Sequence, residues 1–179
     1  EPVKAIPILT PVRERNSTSI PLLSLLADAQ FRSGDYPQAR ATLDSLVSLD
    51  PDNAVAHYTL ARVYAQLGEE RAATGDLDAT LRLDPSHWRA RSEKIDRLLS
   101  RGELAEAQRH IDILSEQLGE RADVLMLQGR LQQLSGKPEA ALALYQNSFE
   151  QTPNNISLMR QGSALVDLQR NEEAFALFH

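Results

Sequence analysis

The sequence predicts an all-α chain built from stacked antiparallel helix pairs, and three observations carry that prediction. Gly34, Gly68, Gly102 and Gly136 recur at a fixed interval of 34 residues. Five positions after each glycine stands an alanine (Ala39, Ala73, Ala107, Ala141), and four further on a bulky apolar residue (Leu43, Leu77, Ile111, Tyr145). A proline closes the unit at Pro51, Pro85 and Pro153, with Gly119 in its place in the third copy. A period of this length marks one supersecondary unit repeated, each copy burying its apolar face on its neighbours.

Residues 1–19 read as the second helix of a preceding repeat, because stepping back 34 from Ala39 and Leu43 gives Ala5 and Leu9. Pro7 and Pro11 fall inside that helix. Each removes a backbone donor and crowds the preceding turn at a cost of about 3 kcal/mol, so a kinked or partly unwound helix is expected. The repeats then run 20–53, 54–87, 88–121 (degenerate), 122–155 and 156–179, the last incomplete.

The second repeat shows the logic most plainly. Ala54, His57, Leu60, Ala61 and Tyr64 recur at steps of three and four, one face of a helix. Gly68 ends it as a residue free to adopt positive φ. Ala73, Leu77, Leu81 and Leu83 mark the second helix, and Asp84-Pro85 stops it, because a residue before proline is pushed out of the helical region. In the fourth repeat Pro138 marks a helix start, where a missing N–H costs nothing.

Small residues fill two columns: Ala27, Ala61, Gly129 and Ser163 in first helices, and Ala39, Ala73, Ala107 and Ala141 in second helices. They allow close approach, near the short end of the usual range of about 8–10 Å. The third repeat departs from this, with Ile95 in the small column, Lys94 in an apolar one and Gly119 for the closing proline. Two readings stand: a degenerate repeat whose Lys94 snorkels to water, or a bend that shapes a partner site. In the last repeat Arg170 takes the glycine column, and Ala174 comes one residue early against Phe175.

Composition narrows the function. The net charge of −6 argues against a nucleic-acid backbone as partner, which needs a basic face. With no cysteine there are no disulfides or thiolate metal sites; this fits an oxidising compartment such as the periplasm and fits a cytosolic protein as well. No apolar run approaches the roughly 20 residues a membrane span needs, and no leader pattern is visible. The chain begins at Glu1 without methionine and stops inside a helical pattern at His179, native or a tag remnant, so it reads as a piece of a longer array.

No catalytic constellation is found, and neither a cofactor nor a metal site is expected. His57, His87, His110 and His179 lack metal-ligand spacing, and His57 reads as core packing. The glycines serve as helix stops rather than as a phosphate loop. Asn16-Ser17-Thr18 matches a short glycosylation triplet of high chance rate, and the acidic residues of the second helices read as a solvated face.

The segments Gly34-Asp35-Tyr36-Pro37-Gln38-Ala39, Leu49-Asp50-Pro51-Asp52-Asn53 and Gly136-Lys137-Pro138-Glu139-Ala140-Ala141 resemble the tetratricopeptide repeat (TPR) superfamily, and the resemblance runs over the whole chain. It implies a TPR α-solenoid whose helix pairs form a right-handed superhelix, with the first helices lining a concave groove. The outward columns of those helices give a partner-binding groove of Phe31, Arg32, Tyr58, Arg62, Arg89, Asp96, Met126, Arg130 and Arg160, with Ser92 beside them. Five arginines and four aspartates (Asp28, Asp96, Asp123, Asp167) give these columns a net charge of +1, leaving −7 elsewhere in a total of −6. Arginine and aromatic residues are enriched at binding hot spots. The expected partner is a protein or peptide segment of acidic character.

The TPR subclass that clamps chaperone tails uses Lys and Asn here. This sequence has Ser24, Asp28, Tyr58, Thr59, Arg62, Arg89 and Glu93, so that clamp is absent. Leu127-Gln128-Gly129-Arg130, Ala140-Ala141-Leu142-Ala143-Leu144-Tyr145 and Glu173-Ala174-Phe175-Ala176-Leu177-Phe178 resemble, more weakly, long bacterial TPR proteins of exopolysaccharide-export and exosortase systems. That resemblance implies an envelope-located, periplasmic scaffold. Two classes of function follow: a non-catalytic scaffold that holds a protein segment, or the substrate-docking arm of a larger enzyme such as a glycosyltransferase. Without polar caps, self-association through the exposed ends is also expected.

Overall fold

The computed structural model describes residues 2–16 and 18–178; the readings of Glu1, Ser17 and His179 lie outside the described residues. The described chain is helical, with no strand among the described residues. Its helices are α1 (Pro2–Arg15), α2 (Ile20–Ser33), α3 (Tyr36–Leu49), α4 (Ala54–Gln66), α5 (Glu70–Leu83), α6 (Trp88–Ser100), α7 (Leu104–Leu118), α8 (Ala122–Leu134), α9 (Pro138–Gln151), α10 (Asn155–Asp167) and α11 (Asn171–Ala176). They divide into two compact units, residues 1–90 and 91–179.

Local chemistry sets the helix ends. The side chains of Asn53 and Asn154 accept from the N–H of Ala56 and Ser157, each at 2.9 Å, so α4 and α10 begin at true side-chain caps. Asp35 caps α3 in the same way at 3.3 Å. Pro21, Pro37 and Pro138 stand in first turns, where their missing N–H costs nothing.

One turn recurs between the two helices of a pair. After α2, Asp35 N–H donates to the Gln30 carbonyl at 3.0 Å across Gly34, whose φ is +82°. This is the Schellman closure, which needs a left-handed residue. The same bond recurs as Glu69 to Tyr64, Glu103 to Leu98, Lys137 to Gln132 and Arg170 to Leu165. In the last case the left-handed residue is Gln169, at φ +60°, a strained place for a side chain.

In unit 1, α1 packs on α2, α2 on α3, α3 on α4 and α4 on α5, and α2 also touches α4. Leu23, Ala27, Ala39, Leu43, Leu46, Ala56, Leu60 and Val63 form its core. A second cluster joins Ala61, Leu77 and Ala90, with Tyr58 and Leu81 against it. Buried Thr42 donates to buried Gln30 at 2.8 Å, so both polar groups are satisfied inside.

In unit 2, α7 packs on α8, α8 on α9, α9 on α10 and α10 on α11. One of its core clusters is Ala141, Leu142, Tyr145, Ala164, Leu165 and Ala174. A Cβ on Gly129 would lie 2.4 Å from Tyr145 Cε1. The smallest side chain therefore stands across from the largest, whereas Ala27 and Ala61 share their clusters with leucines 43 and 77.

Three expectations are corrected. The helix over Pro7 and Pro11 is unbroken rather than unwound. Both prolines are exposed and four residues apart, so the missing donors fall on one water-facing side. Lys94 does not simply reach water: its Nζ lies 3.4 Å from Glu106 Oε1, with the side chain largely covered. His57 is largely covered, at 12% exposure, and both of its ring nitrogens are hydrogen-bonded.

The third correction concerns register. Helix caps repeat every 34 residues from Ser19 to Asn53 and from Asp35 through Glu69 and Glu103 to Lys137, but Arg121 to Asn154 and Lys137 to Arg170 are 33 apart. The loop carrying Pro153 is one residue short. Gly162, not Ser163, therefore holds the small column: Ser163 is exposed, while a Cβ on Gly162 would lie 2.9 Å from the Phe178 ring. Gln169, not Arg170, takes the glycine place.

Candidate interaction surface

The surface of unit 1's first helices is built around one arginine. Tyr58 and Arg62 lie four residues apart on α4 and so share a face. Phe31 comes from the last turn of α2, which touches α4. The Arg62 guanidinium carbon lies 4.4 Å from the Phe31 ring centre and 5.7 Å from that of Tyr58. Phe31 meets Tyr36 edge-on at 5.7 Å, and Tyr58 meets His87 at 4.5 Å. A cation held over aromatic faces contributes about 0.5–2 kcal/mol, depending on desolvation. The stack also fixes the plane of the guanidinium, which orders its donors in advance of any contact.

Arg89 lies over the Trp88 ring at 4.7 Å. Arg32 is tied to Asp28 at 2.9 Å in an exposed pair one turn apart, worth only a few tenths of a kcal/mol.

In unit 2, Arg130 of α8 forms an ion pair with Asp96 of α6. These residues are 34 apart, so the pair joins the same place on successive first helices. Met126 is half-buried against the cluster of Ala141 and Tyr145. Arg160 is half-buried too, but the shortened loop moves it off the Met126 position, which Met159 takes.

Sequence reasoning missed Gln133. Its Nε2 donates to Asp167 at 2.6 Å and to Ser163 at 3.0 Å, and its Oε1 accepts from the Tyr145 hydroxyl at 2.9 Å. One amide thus links α8, α9 and α10. The repeat gave no signal for it, because Gln133 and Asp167 are 34 apart whereas equivalent places in these two repeats are 33 apart. Burial pushes the Tyr145 phenol up to about 12, against the opposing charges of Arg160 and Arg130.

Among the described residues no cluster of three or more His, Cys, Asp or Glu could hold a metal ion, and no helix is long and apolar enough to cross a membrane. Stacked helix pairs with arginine and aromatic residues on the first helices define a helical-repeat scaffold for protein interaction. The tetratricopeptide repeat family model matches residues 24–85 and 126–178, and the chain belongs to that family.

Among curated proteins, the chain is 32% identical over 101 residues to an Arabidopsis thaliana TPR repeat-containing thioredoxin, covering 56% of this chain and 15% of that protein. It is 29% identical over 119 residues to the rat DnaJ homolog subfamily C member 3, covering 54% of this chain and 24% of that one. The chain therefore spans a minor part of both relatives. Among solved structures, MamA of Desulfovibrio magneticus RS-1 matches with TM-score 0.78 at 19% identity, covering 89% of this chain and 90% of that one. A TPR protein of Parabacteroides merdae matches at 0.88 and 19%, covering 98% and 70%. YrrB, described as a TPR protein with an unusual peptide-binding site, matches at 0.72 and 18%, covering 87% and 80%. These structures share the fold.

Proposed function

We propose that the first-helix surfaces hold a protein segment of acidic character. In unit 1 the contact set is Phe31, Arg32, Tyr58, Arg62 and Arg89; in unit 2 it is Asp96, Met126, Arg130 and Arg160. The observation that carries this reading is the Arg62 guanidinium fixed between Phe31 and Tyr58. A planar, preordered guanidinium suits a carboxylate, and the aromatic rings supply apolar contact area at little entropic cost. Arg130 would serve by exchanging Asp96 for a ligand carboxylate. The test is a panel of acidic and charge-scrambled 12-residue peptides, titrated by fluorescence anisotropy. Acidic peptides bind and lose affinity with salt, and Arg62→Glu with Arg130→Glu abolishes binding. Unchanged affinity in that double variant would remove the assignment.

A second reading makes the chain the docking arm of a larger enzyme. It is supported by a relative whose name pairs repeats of this kind with a thioredoxin. The sequence flanking this segment in its gene decides it: a catalytic domain there supports the arm, and further repeats alone support the scaffold. The resemblance to exopolysaccharide-export proteins supports placing that scaffold in a bacterial envelope, which fractionation with specific antibody tests.

Self-association has one specific support. Met159, Phe175 and Phe178 are exposed by 66%, 69% and 54%, whereas their counterparts one repeat earlier, Met126, Leu142 and Tyr145, belong to the unit 2 core or pack against it. The last helix pair thus presents the face that its predecessor covers with α10, and a second copy is the proposed cover. Sedimentation equilibrium tests it: a dimer lost in Phe175→Asp supports it, and a monomer up to high micromolar refutes it.

A further inference from the structure

Two histidine sites stand one repeat apart and demand opposite protonation. His57 on α4 bonds Asp76 on α5; 34 residues on, Arg91 on α6 bonds His110 on α7. The corresponding positions are Leu23 and Thr42 in the first repeat, and Leu125 and Leu144 in the fourth. The middle repeats therefore place polar pairs where the flanking repeats carry mainly apolar side chains.

At His57, Nε2 lies 3.0 Å from the Pro51 carbonyl oxygen and Nδ1 lies 2.7 Å from Asp76 Oδ1. A carbonyl only accepts, so Nε2 carries a proton. The Nδ1–Asp76 contact needs one proton as well, on the ring or on the carboxyl. The pair thus holds one proton more than a neutral imidazole beside a carboxylate. Both side chains are largely covered, at 12% and 16% exposure. The neighbours agree: Asp44 on α3 adds negative charge near Asp76, while Arg40 of α3 lies over Tyr64. On α2, Asp28 and Arg32 pair with each other. Burial pushes the Asp76 carboxyl up, with His57 opposing, so the fold favours the protonated pair.

At His110 the requirement reverses. Arg91 Nη1 lies 3.1 Å from His110 Nδ1. A guanidinium only donates, so that nitrogen is bare and the ring is neutral. Its proton sits on Nε2, 3.8 Å from Glu106 Oε1. Lys94 also faces this carboxylate, at 3.4 Å. On α8, Asp123 pairs with Arg121 and Arg130 with Asp96.

We propose that His57 and His110 make the two sites respond oppositely to pH: acid tightens the α4–α5 pair and loosens the α6–α7 pair. The Pro51 carbonyl and Asp76 together require the extra proton, so acid supplies what the His57 site needs and alkali removes it. At His110 the Arg91 guanidinium requires a bare Nδ1, so acid removes what that site needs.

Thermal melts of the wild type, His57→Gln and His110→Gln from pH 5 to 9 test this. The melting-temperature deficit of His57→Gln, about 2–4 °C, shrinks as pH rises, and that of His110→Gln shrinks as pH falls. Deficits that are independent of pH, or that move in the same direction, overturn the proposal. Should a variant fail to fold, imidazole nitrogen spectra of the wild type decide instead. His57 Nε2 stays protonated throughout and His110 Nδ1 is bare at neutral pH; a bare His57 Nε2 or a protonated His110 Nδ1 refutes it.

Discussion

Gly129→Ala tests the packing logic most directly, because the added methyl has a named obstacle. Its carbon would lie 2.4 Å from Tyr145 Cε1, 2.7 Å from Cδ1 and 3.1 Å from Cζ, where ordinary carbon contacts are about 3.5–4.0 Å. The ring must therefore move by about 1 Å. It has no exposure to move into, and its hydroxyl is tied to Gln133. Overpacking of this kind costs about 1–3 kcal/mol, against up to about 1 kcal/mol returned by alanine's helix propensity. The net loss is about 1–2 kcal/mol, or a few degrees in melting temperature. Adding Tyr145→Leu recreates the alanine–leucine combination of Ala27 with Leu43 and of Ala61 with Leu77. A double-mutant cycle by urea denaturation should show favourable coupling of at least about 1 kcal/mol. A stabilising Gly129→Ala, or additivity within about 0.5 kcal/mol, would refute the claim that this glycine answers this tyrosine.

Three more outcomes follow from the same geometry. Gln169→Gly removes a left-handed strain worth about 1–2 kcal/mol and should raise the melting temperature, whereas a fall would show that the Gln169 side chain contributes more than its strain costs. Ala73→Leu, at a fully buried contact, should destabilise by about 1–3 kcal/mol; an unchanged melt would mean the column is not tight. Tyr145 should be the last tyrosine to ionise in an absorbance titration, near 12. Because burial raises its pKa, its share of stability persists up to the ordinary value near 10 and is lost as pH rises towards 12. Tyr145→Phe should flatten the alkaline fall in stability, and an unaltered curve would count against this.

By itself the sequence determined the helix pairs. Glycine at the left-handed turn, asparagine and aspartate caps and first-turn prolines act within a few residues of themselves, so their consequences are local. The buried alanines of the second helices were legible for a related reason: a periodic array puts the same demand on the same column in every copy. Tertiary structure decided the rest. The missing residue before Asn154 leaves every local signal of α10 intact and still shifts the last repeat by one place, which only the packing of Gly162 on Phe178 reveals. Gly129 answers Tyr145 across two helices, and Gln133 gathers partners from α9 and α10. Arg62 and Arg130 occupy equivalent columns, yet one lies against aromatic rings and the other pairs with Asp96. Their environments come from side chains on neighbouring helices. Local propensity places a residue on a face, but the residues it meets there are set by which helix packs against it.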